Sequence, residues 1–254
     1  MEYNVFHSLS NKFILLTGAS SGIGRETSIL LSKLGAKLLL IDINEIGLLK
    51  TIEYCPNETI PLVLDLTDSE TLKIKIIDLV KKHGKLDGVA HIAGKPSIVP
   101  LKSISQSSAT EIFQLNTYSA IDLAKIFVNH NVFSGQSGSI VFISSVYGLV
   151  GSSANVAYAS SKAALHGITK SLSIELAPKK IRVNCIAPGF IKTEMMANNK
   201  DKFNDEYISK LDKMHPLGLG EAIDISYMIA FLLSDLSKWM TGSILSLDGG
   251  FTAQ

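Results

Sequence analysis

Tyr158 and Lys162 stand four residues apart in Tyr158-Ala159-Ser160-Ser161-Lys162, and on a helix that spacing puts both side chains on one face. A phenol beside an ammonium can move a proton. The cation favours phenolate and draws the tyrosine pKa down from about 10 toward the range of a general acid or base. A solvated helix face has the same spacing, so the pair needs support from elsewhere. Ser145 follows the apolar run Ser139-Ile140-Val141-Phe142-Ile143 and sets a hydroxyl at a strand's carboxyl end, where the strand and the next helix can converge. Asn116 lies amid Phe113, Leu115 and Ile121 in an amphipathic stretch, so its amide must find partners when buried. Those partners are either local backbone groups or a water that relays protons to Lys162.

A second cluster lies near the start, in Thr17-Gly18-Ala19-Ser20-Ser21-Gly22-Ile23-Gly24. The apolar run Phe13-Ile14-Leu15-Leu16 precedes it and a helical pattern from Arg25 to Leu34 follows. In a strand–turn–helix setting Gly18 permits the tight turn, Gly22 lets the backbone approach a pyrophosphate, and Gly24 lets helix and strand pack closely, with the helix N-terminus facing the anion. Asp42, after the strand Leu38-Leu39-Leu40-Ile41, falls near the offset of about 20 residues at which an acid accepts hydrogen bonds from the adenosine ribose. A carboxylate there repels a 2′-phosphate, so NAD is preferred and NADP remains possible if Arg25 swings toward the phosphate. Asp42 or Asn44 would serve equally well as a helix N-cap.

These groups need a scaffold that carries strand ends to one edge. Strand-like runs begin near Phe13, Lys37, Ile60, Gly88, Ser139, Ile181 and Ser243. Helical stretches alternate with them: Arg25 to Leu34, Glu45 to Tyr54, Ser69 to His83, Ala109 to His130, Val156 to Leu176, and two pieces between Lys200 and Ser234. Such alternation predicts an α/β fold with a doubly wound parallel sheet, right-handed crossovers and helices on both faces. No linker or composition shift divides residues 1–254, so one domain is expected. Ligands of such sheets bind beyond the carboxyl ends of the strands, which brings Leu64-Asp65-Leu66-Thr67 and Ala93-Gly94 to the cofactor. Asp65 is a candidate partner for the adenine amino group, or else a helix cap, and Ala93 and Gly94 leave room for a ribose against bare backbone.

With 46% hydrophobic residues in 254, the chain can bury a sizeable core. A formal net charge of +1 gives no broad attraction to nucleic acid or an anionic membrane. The longest apolar runs are strand-sized, so no membrane span is expected. The segment Met1 to His7 does not read as a secretory signal, which leaves a cytoplasmic location. Cys55 and Cys185 are too few for a disulfide framework and both read as structural; the six histidines form no metal-ligand pair, so no metal site is expected.

Taken in order, Thr17-Gly18-x-x-x-Gly22-x-Gly24, Asp65, Asn116, Ser145, Tyr158-x-x-x-Lys162 and Asn184 before Pro188-Gly189 resemble the short-chain dehydrogenase/reductase family over nearly the whole chain, with a likeness to its 3-oxoacyl-carrier-protein reductase subgroup. The resemblance implies a single Rossmann domain whose seven-stranded sheet runs 3-2-1-4-5-6-7. It implies that Tyr158 exchanges the proton with an alcohol or carbonyl, Ser145 holds that oxygen, Lys162 binds the nicotinamide ribose and Asn116 supports the relay. It implies that Pro188, Gly189, the Ile191 backbone and the Thr193 hydroxyl border the nicotinamide, and that residues 194–215 form a substrate lid. The family pairs its two long central helices across a subunit interface, which implies a homotetramer, with a dimer as the second choice.

One motif departs from the family. His91-Ile92-Ala93-Gly94 stands where Asn-Asn-Ala-Gly is usual, which alters the side-chain network but not the backbone contacts. The carrier-protein substrate of the subgroup is disfavoured, because Asp42 opposes NADPH and Asn129 to Gln136 carries no lysine or arginine for docking an acidic carrier. A small-molecule secondary alcohol or ketone fits better. A catalytically silent NAD-binding sensor is the remaining alternative, and the presence of both Tyr158 and Lys162 speaks against it.

Overall fold

Apolar strand residues here alternate between two cores, because successive side chains of a strand point to opposite faces. Ile14, Leu16, Leu38, Leu40, Val141 and Ile143 enter one, while Phe13, Leu15, Leu39, Ile41, Ile140 and Phe142 enter the other. A sheet buried on both faces therefore reads as continuous apolar runs. In this computed structural model, which describes residues 6–192 and 205–254, seven parallel strands form that sheet. They are β1 (Phe13–Thr17), β2 (Lys37–Asp42), β3 (Thr59–Val63), β4 (Gly88–His91), β5 (Gly138–Ile143), β6 (Ile181–Pro188) and β7 (Ile244–Leu247). Their order is 3-2-1-4-5-6-7, as the family resemblance implies. Pro61 sits in β3, an edge strand, where a missing N–H costs least.

On one face lie α1 (Gly22–Lys33), α2 (Glu45–Ile52) and α8 (Ala222–Leu233); on the other lie α3 (Ser69–His83), α4 (Gln106–Phe113), α5 (Ser119–Phe127) and α6 (Val156–Leu176). A shorter helix, α7 (Asp205–Lys213), precedes α8. Two-residue strands, Ile191–Lys192 and Gly220–Glu221, pair in parallel apart from the main sheet and tie the segment after β6 to the start of α8. Thr193 and residues 194–204 of the expected lid lie outside the described residues.

Several boundaries differ from the sequence reading for local reasons. Helix α1 begins at Gly22 rather than Arg25, since the glycine turn runs straight into the helix. The long central helix begins at Gln106 because Ser105 and Ser108 form a reciprocal capping box. It is also not uniform: Gln114–Tyr118 is a π turn between α4 and α5, and Asn116 lies inside it. Such turns arise where one extra residue is accommodated, and they are frequent at functional sites.

All strands point the same way, so Thr17, Asp42, His91, Ile143 and Pro188 finish at one edge of the sheet. The strand order reverses between β1 and β4, which opens a crevice there. Phe142 is fully buried near the carboxyl end of β5, edge-on to the His91 ring with centroids 6.4 Å apart. Phe142→Ala is expected to lower stability by about 3–5 kcal/mol. Urea denaturation checks this, and a loss below about 1 kcal/mol would show that the core closes over the gap.

Candidate active site

The crevice between β1 and β4 has a volume of about 690 Å³. The glycine turn forms its floor. Gly18 has φ +72, which a residue with a side chain rarely adopts, and a Cβ on Gly24 would stand 1.9 Å from the Gly18 carbonyl oxygen. Backbone on both sides fixes that distance, so the turn tolerates no side chain at Gly24. Gly18, Ser20, Ser21, Gly22, Ile23 and Gly24 all line the crevice, with the N-terminus of α1 beside them. That arrangement suits a pyrophosphate.

Asp42, Asp65, Leu66, Ala93 and Gly94 line the same crevice, as the sequence predicts. Asp42 is not the N-cap of α2; Asn44 is, accepting a hydrogen bond from the Gly47 N–H. The Asp42 carboxylate accepts the Ser20 N–H at 2.9 Å and the Asn44 N–H at 2.9 Å. Asp65 accepts both the N–H and the hydroxyl of Thr67, while Asp68 caps α3. Leu64 and Thr67 line it too, as expected of the end of β3, whereas Ile41, Ile43 and Lys95 also line the crevice and were not foreseen. Ile43 carried a signal: an isoleucine just past a strand end that is 69% exposed invites a flat ligand.

Gly94 marks the inner end. A Cβ on it would lie 3.0 Å from both Asn116 Oδ1 and Lys162 Nζ, so those two side chains converge where the crevice passes β4. Asn116 is fully buried and its amide is spent on backbone and a hydroxyl: Oδ1 accepts the Lys95 N–H at 2.9 Å, and Nδ2 donates to the Lys95 carbonyl and to Ser161 Oγ. Of the two roles open from sequence, the amide fills the first, local backbone satisfaction. It fastens the π turn to α6 beside Lys162. Lys162 is buried and donates to the Ile143 carbonyl at 2.8 Å, and burial pushes its ammonium down to about 8.

Ser145 opens the 3-10 turn Val146–Gly148, its Oγ accepting the Tyr147 N–H at 3.2 Å. The Tyr158 phenol lies beside that hydroxyl. Its pKa is raised, contrary to the sequence expectation. Burial of the phenol is the largest cause, the Ser145 hydrogen bond works against it, and nearby Tyr147 adds to it. Lys162 Nζ stands 6.0 Å from the Tyr158 ring centroid and is turned to the Ile143 carbonyl, so desolvation outweighs its field. Ser145, Tyr158 and Lys162 are thus brought together just past the crevice, not within its lining. Pro188 ends β6 and Gly189 follows it, its N–H donating to the Leu247 carbonyl, and Ile191 pairs with Gly220.

The altered motif has a physical account. Thr17 Oγ1 accepts the N–H groups of Ile92 and Ala93, both at 3.2 Å, which uses its two lone pairs. Its own proton therefore goes to His91 Nδ1 at 2.8 Å. The imidazole carries its hydrogen on Nε2, which donates to Ser119 Oγ at 3.1 Å, and Ser119 in turn donates to the Leu115 carbonyl in the π turn. One histidine spans from β1 to the helix that holds Asn116. The usual asparagine is too short to do this, and no spacing rule would have found it.

Burial pushes the His91 pKa down to about 3, with the Lys162 charge a lesser cause. Folding therefore holds it neutral while the unfolded chain protonates near 6.5. Stability from this group is complete above 6.5 and is lost as pH falls toward 3, because only the unfolded state takes up the proton. His91→Asn is expected to flatten the fall of Tm between pH 7 and pH 5 relative to the unaltered protein. Equal slopes in the two proteins, measured by thermal denaturation, would contradict this account.

Among the described residues, no group of three or more His, Cys, Asp or Glu could hold a metal ion, and no helix is long and apolar enough to cross a membrane. Comparison with known proteins agrees with the geometry. The family model described as enoyl-(acyl carrier protein) reductase matches residues 18–252. A 3-oxoacyl-acyl-carrier-protein reductase of Thermotoga maritima is 34% identical, covering 95% of this chain and 98% of that one. An L-xylulose reductase of Caenorhabditis elegans is 33% identical, covering 97% and 98%. Among solved structures, carveol dehydrogenase from Mycobacterium avium in complex with NAD superposes with a TM-score of 0.91 at 26% identity, covering 97% and 99% of the two chains. The structure titled ElxO with NADP bound gives 0.87 at 29% identity, covering 96% and 100%.

Proposed function

As a member of the short-chain dehydrogenase/reductase family, this chain is an NAD(P)-dependent oxidoreductase of alcohols and ketones, and we propose that it acts on a small-molecule secondary alcohol or ketone with NAD as its preferred cofactor. The observation that carries this reading is the convergence of Ser145, Tyr158 and Lys162 just past a glycine-floored crevice, with Lys162 Nζ beside Gly94 at its inner end. When bound, the nicotinamide supplies the hydride acceptor or donor. The chain's own residues handle the oxygen and its proton. Ser145 Oγ holds the substrate oxygen, Tyr158 gives or takes the proton, and Lys162 supplies the charge that makes the phenolate accessible while reaching the nicotinamide ribose. Asn116 keeps the π turn and Lys95 in register with Lys162.

The preference for NAD rests on Asp42, whose carboxylate stands at the mouth of the crevice where a 2′-phosphate would sit. Residues 194–215 are assigned to a cover over the substrate. Support comes from the end of that segment, where His215 accepts the Phe190 N–H at 3.2 Å and so joins the segment to the loop after β6. A 3-oxoacyl thioester on a carrier protein is the second reading. It is favoured by the Thermotoga relative, while the family model's description shares with it only the carrier protein, and it is opposed by Asp42 and by the lack of lysine and arginine in Asn129 to Gln136.

A homotetramer and a cytoplasmic location complete the proposal. Exposed Tyr118 and Ile121 on the central helix, together with Val156 and Ile174 on α6, supply apolar surface for pairing those helices. Light scattering at micromolar concentration should report four chains; a monomeric mass would end this part of the reading.

Tyr158→Phe is expected to remove nearly all turnover while leaving NADH binding close to normal, Ser145→Ala to reduce turnover chiefly, and Lys162→Ala to damage both. Alcohol oxidation requires Tyr158 to accept a proton as phenolate, so its rate should rise with pH, and burial of the phenol, which raises its pKa, sets that rise toward alkaline pH. Steady-state rates and fluorescence titration of NADH check these together. A Tyr158→Phe protein that keeps most of its activity would remove the proposed acid/base.

Cofactor choice is tested separately. NADH should bind tighter than NADPH, and Asp42→Ala should narrow the gap while weakening both, because the Ser20 N–H loses its acceptor. Equal dissociation constants in the unaltered protein would refute the preference.

A further inference from the structure

Beyond Ser145 four aromatic rings from four separate segments close into one cluster. Tyr147 comes from the turn after β5, Phe190 from the loop after β6, His215 from the segment after α7, and Phe251 from the C-terminal turn. Tyr147 and Phe190 meet edge-on with centroids 5.7 Å apart, Phe190 and His215 likewise at 5.7 Å, and Phe251 lies 4.9 Å from His215, 6.4 Å from Phe190 and 6.5 Å from Tyr147. These separations are those at which aromatic rings attract. Tyr147, Phe190 and Phe251 are half-buried and His215 is buried, so three ring surfaces remain open around a filled base.

Hydrogen bonds fasten the base of the cluster and occupy the His215 ring nitrogens. His215 Nδ1 donates to the Leu211 carbonyl at 2.7 Å and Nε2 accepts the Phe190 N–H, so both nitrogens are spent on backbone. The neighbouring Asp248 carboxylate accepts the Gly250 and Thr252 N–H groups and the Thr252 hydroxyl, which shapes the turn that presents Phe251. The Leu217 N–H donates to the Gly249 carbonyl and straps the C-terminal turn to the His215 segment. Tyr147 is tied to the proposed reacting centre itself, its N–H donating to Ser145 Oγ, and its phenol lies near enough to Tyr158 to raise that group's pKa.

From this arrangement we infer that the substrate carries a ring-bearing apolar substituent, aryl or alicyclic, on its carbinol or carbonyl carbon, and that this substituent packs against Tyr147, Phe190 and Phe251. The inference rests on the ketoreductase reading and specifies its substrate class. A substituent lying against these rings leaves water for apolar surface, which favours a ring. A polyhydroxylated chain in the same place would lose water from its hydroxyls and meet few partners, since the polar atoms of His215 and Asp248 are already engaged.

The test separates binding from chemistry. The complex of the protein with NADH is titrated with acetophenone, cyclohexyl methyl ketone and L-xylulose, following NADH fluorescence, and turnover of each is measured in parallel. The two ring ketones should bind at least about tenfold tighter than xylulose. Phe251→Ala should erase about tenfold of that advantage without changing the dissociation constant of NADH. Should Phe251→Ala fail to fold by circular dichroism, Phe251→Leu carries the same comparison, with loss of ring preference and kept NADH affinity expected. Xylulose binding as tightly as acetophenone, no ketone binding, or a folded Phe251 variant with unchanged ring preference would each overturn the inference. Selective ring binding without any hydride transfer would instead overturn the ketoreductase reading and leave the aromatic surface standing as a binding site. Efficient reduction of xylulose with weak ring binding would do the reverse.

Discussion

A single hydroxyl, Thr17 Oγ1, holds the switch point of the sheet on which every other part of the site depends. Parallel strands β1 and β4 pair up to Thr17 and His91, and beyond that point the N–H groups of Ile92 and Ala93 would be left without acceptors as the chain leaves the sheet. Thr17 satisfies both and passes its own proton to His91, which carries the connection through Ser119 to the Leu115 carbonyl. The chain of bonds is directional. Each member has one proton to give, so reversing any one of them leaves a buried donor facing a donor, a cost of about 1–3 kcal/mol. The crevice keeps its shape because its two walls and the π turn are parts of one network.

That network also explains how a lysine can be buried next to the reacting centre. Lys162 loses most of its water, which lowers its affinity for the proton, yet it retains the Ile143 carbonyl as an acceptor, and neutral His91 adds no competing charge. Tyr158 is desolvated as well, so burial works against charge on both groups. A site built in this way stores its catalytic potential as an electrostatic difference: whichever ligand restores solvation or charge balance to one group alters the other. Asn116 contributes by geometry, since its amide is committed to Lys95 and Ser161 and fixes the distance between π turn and α6.

The fold was largely legible because its signals are local. Apolar runs of strand length, helices between them and a glycine turn after the first run specify a doubly wound sheet without any knowledge of long-range contacts. The lining of the crevice by the glycine turn, Asp42 and Asp65 was legible because each stands at the carboxyl end of a parallel strand, and the shared helix of Tyr158 and Lys162 because four-residue spacing is local. The π turn at Gln114–Tyr118, the hydrogen-bond chain through His91, the ribbon at Ile191 and Gly220 and the cluster around Phe251 were not. Each depends on groups brought together from distant parts of the chain, and none leaves a periodicity. The tyrosine pKa was misjudged on similar grounds: four-residue spacing shows that two groups share a helix face, but not how much water either keeps.

Asp42 shows how cofactor choice and turn geometry become one property. Its carboxylate is an acceptor for Ser20 in the glycine turn and for Asn44 at the start of α2, so the acid that would select the ribose also shapes the floor beneath it. At a separation near 4 Å and a surface-like effective dielectric, the repulsion between a carboxylate and each phosphate charge is about 4 kcal/mol, large enough to decide the preference unless a cation intervenes. Arg25 is the nearby cation, and its guanidinium donates to the Ser20 carbonyl and the Thr51 hydroxyl. Recruiting it to a 2′-phosphate means trading bonds that brace the same turn. Under the proposed preference for NAD, a phosphorylated cofactor would meet two costs, repulsion at Asp42 and the bracing that Arg25 would give up, and a change at either residue must be read through its effect on Ser20.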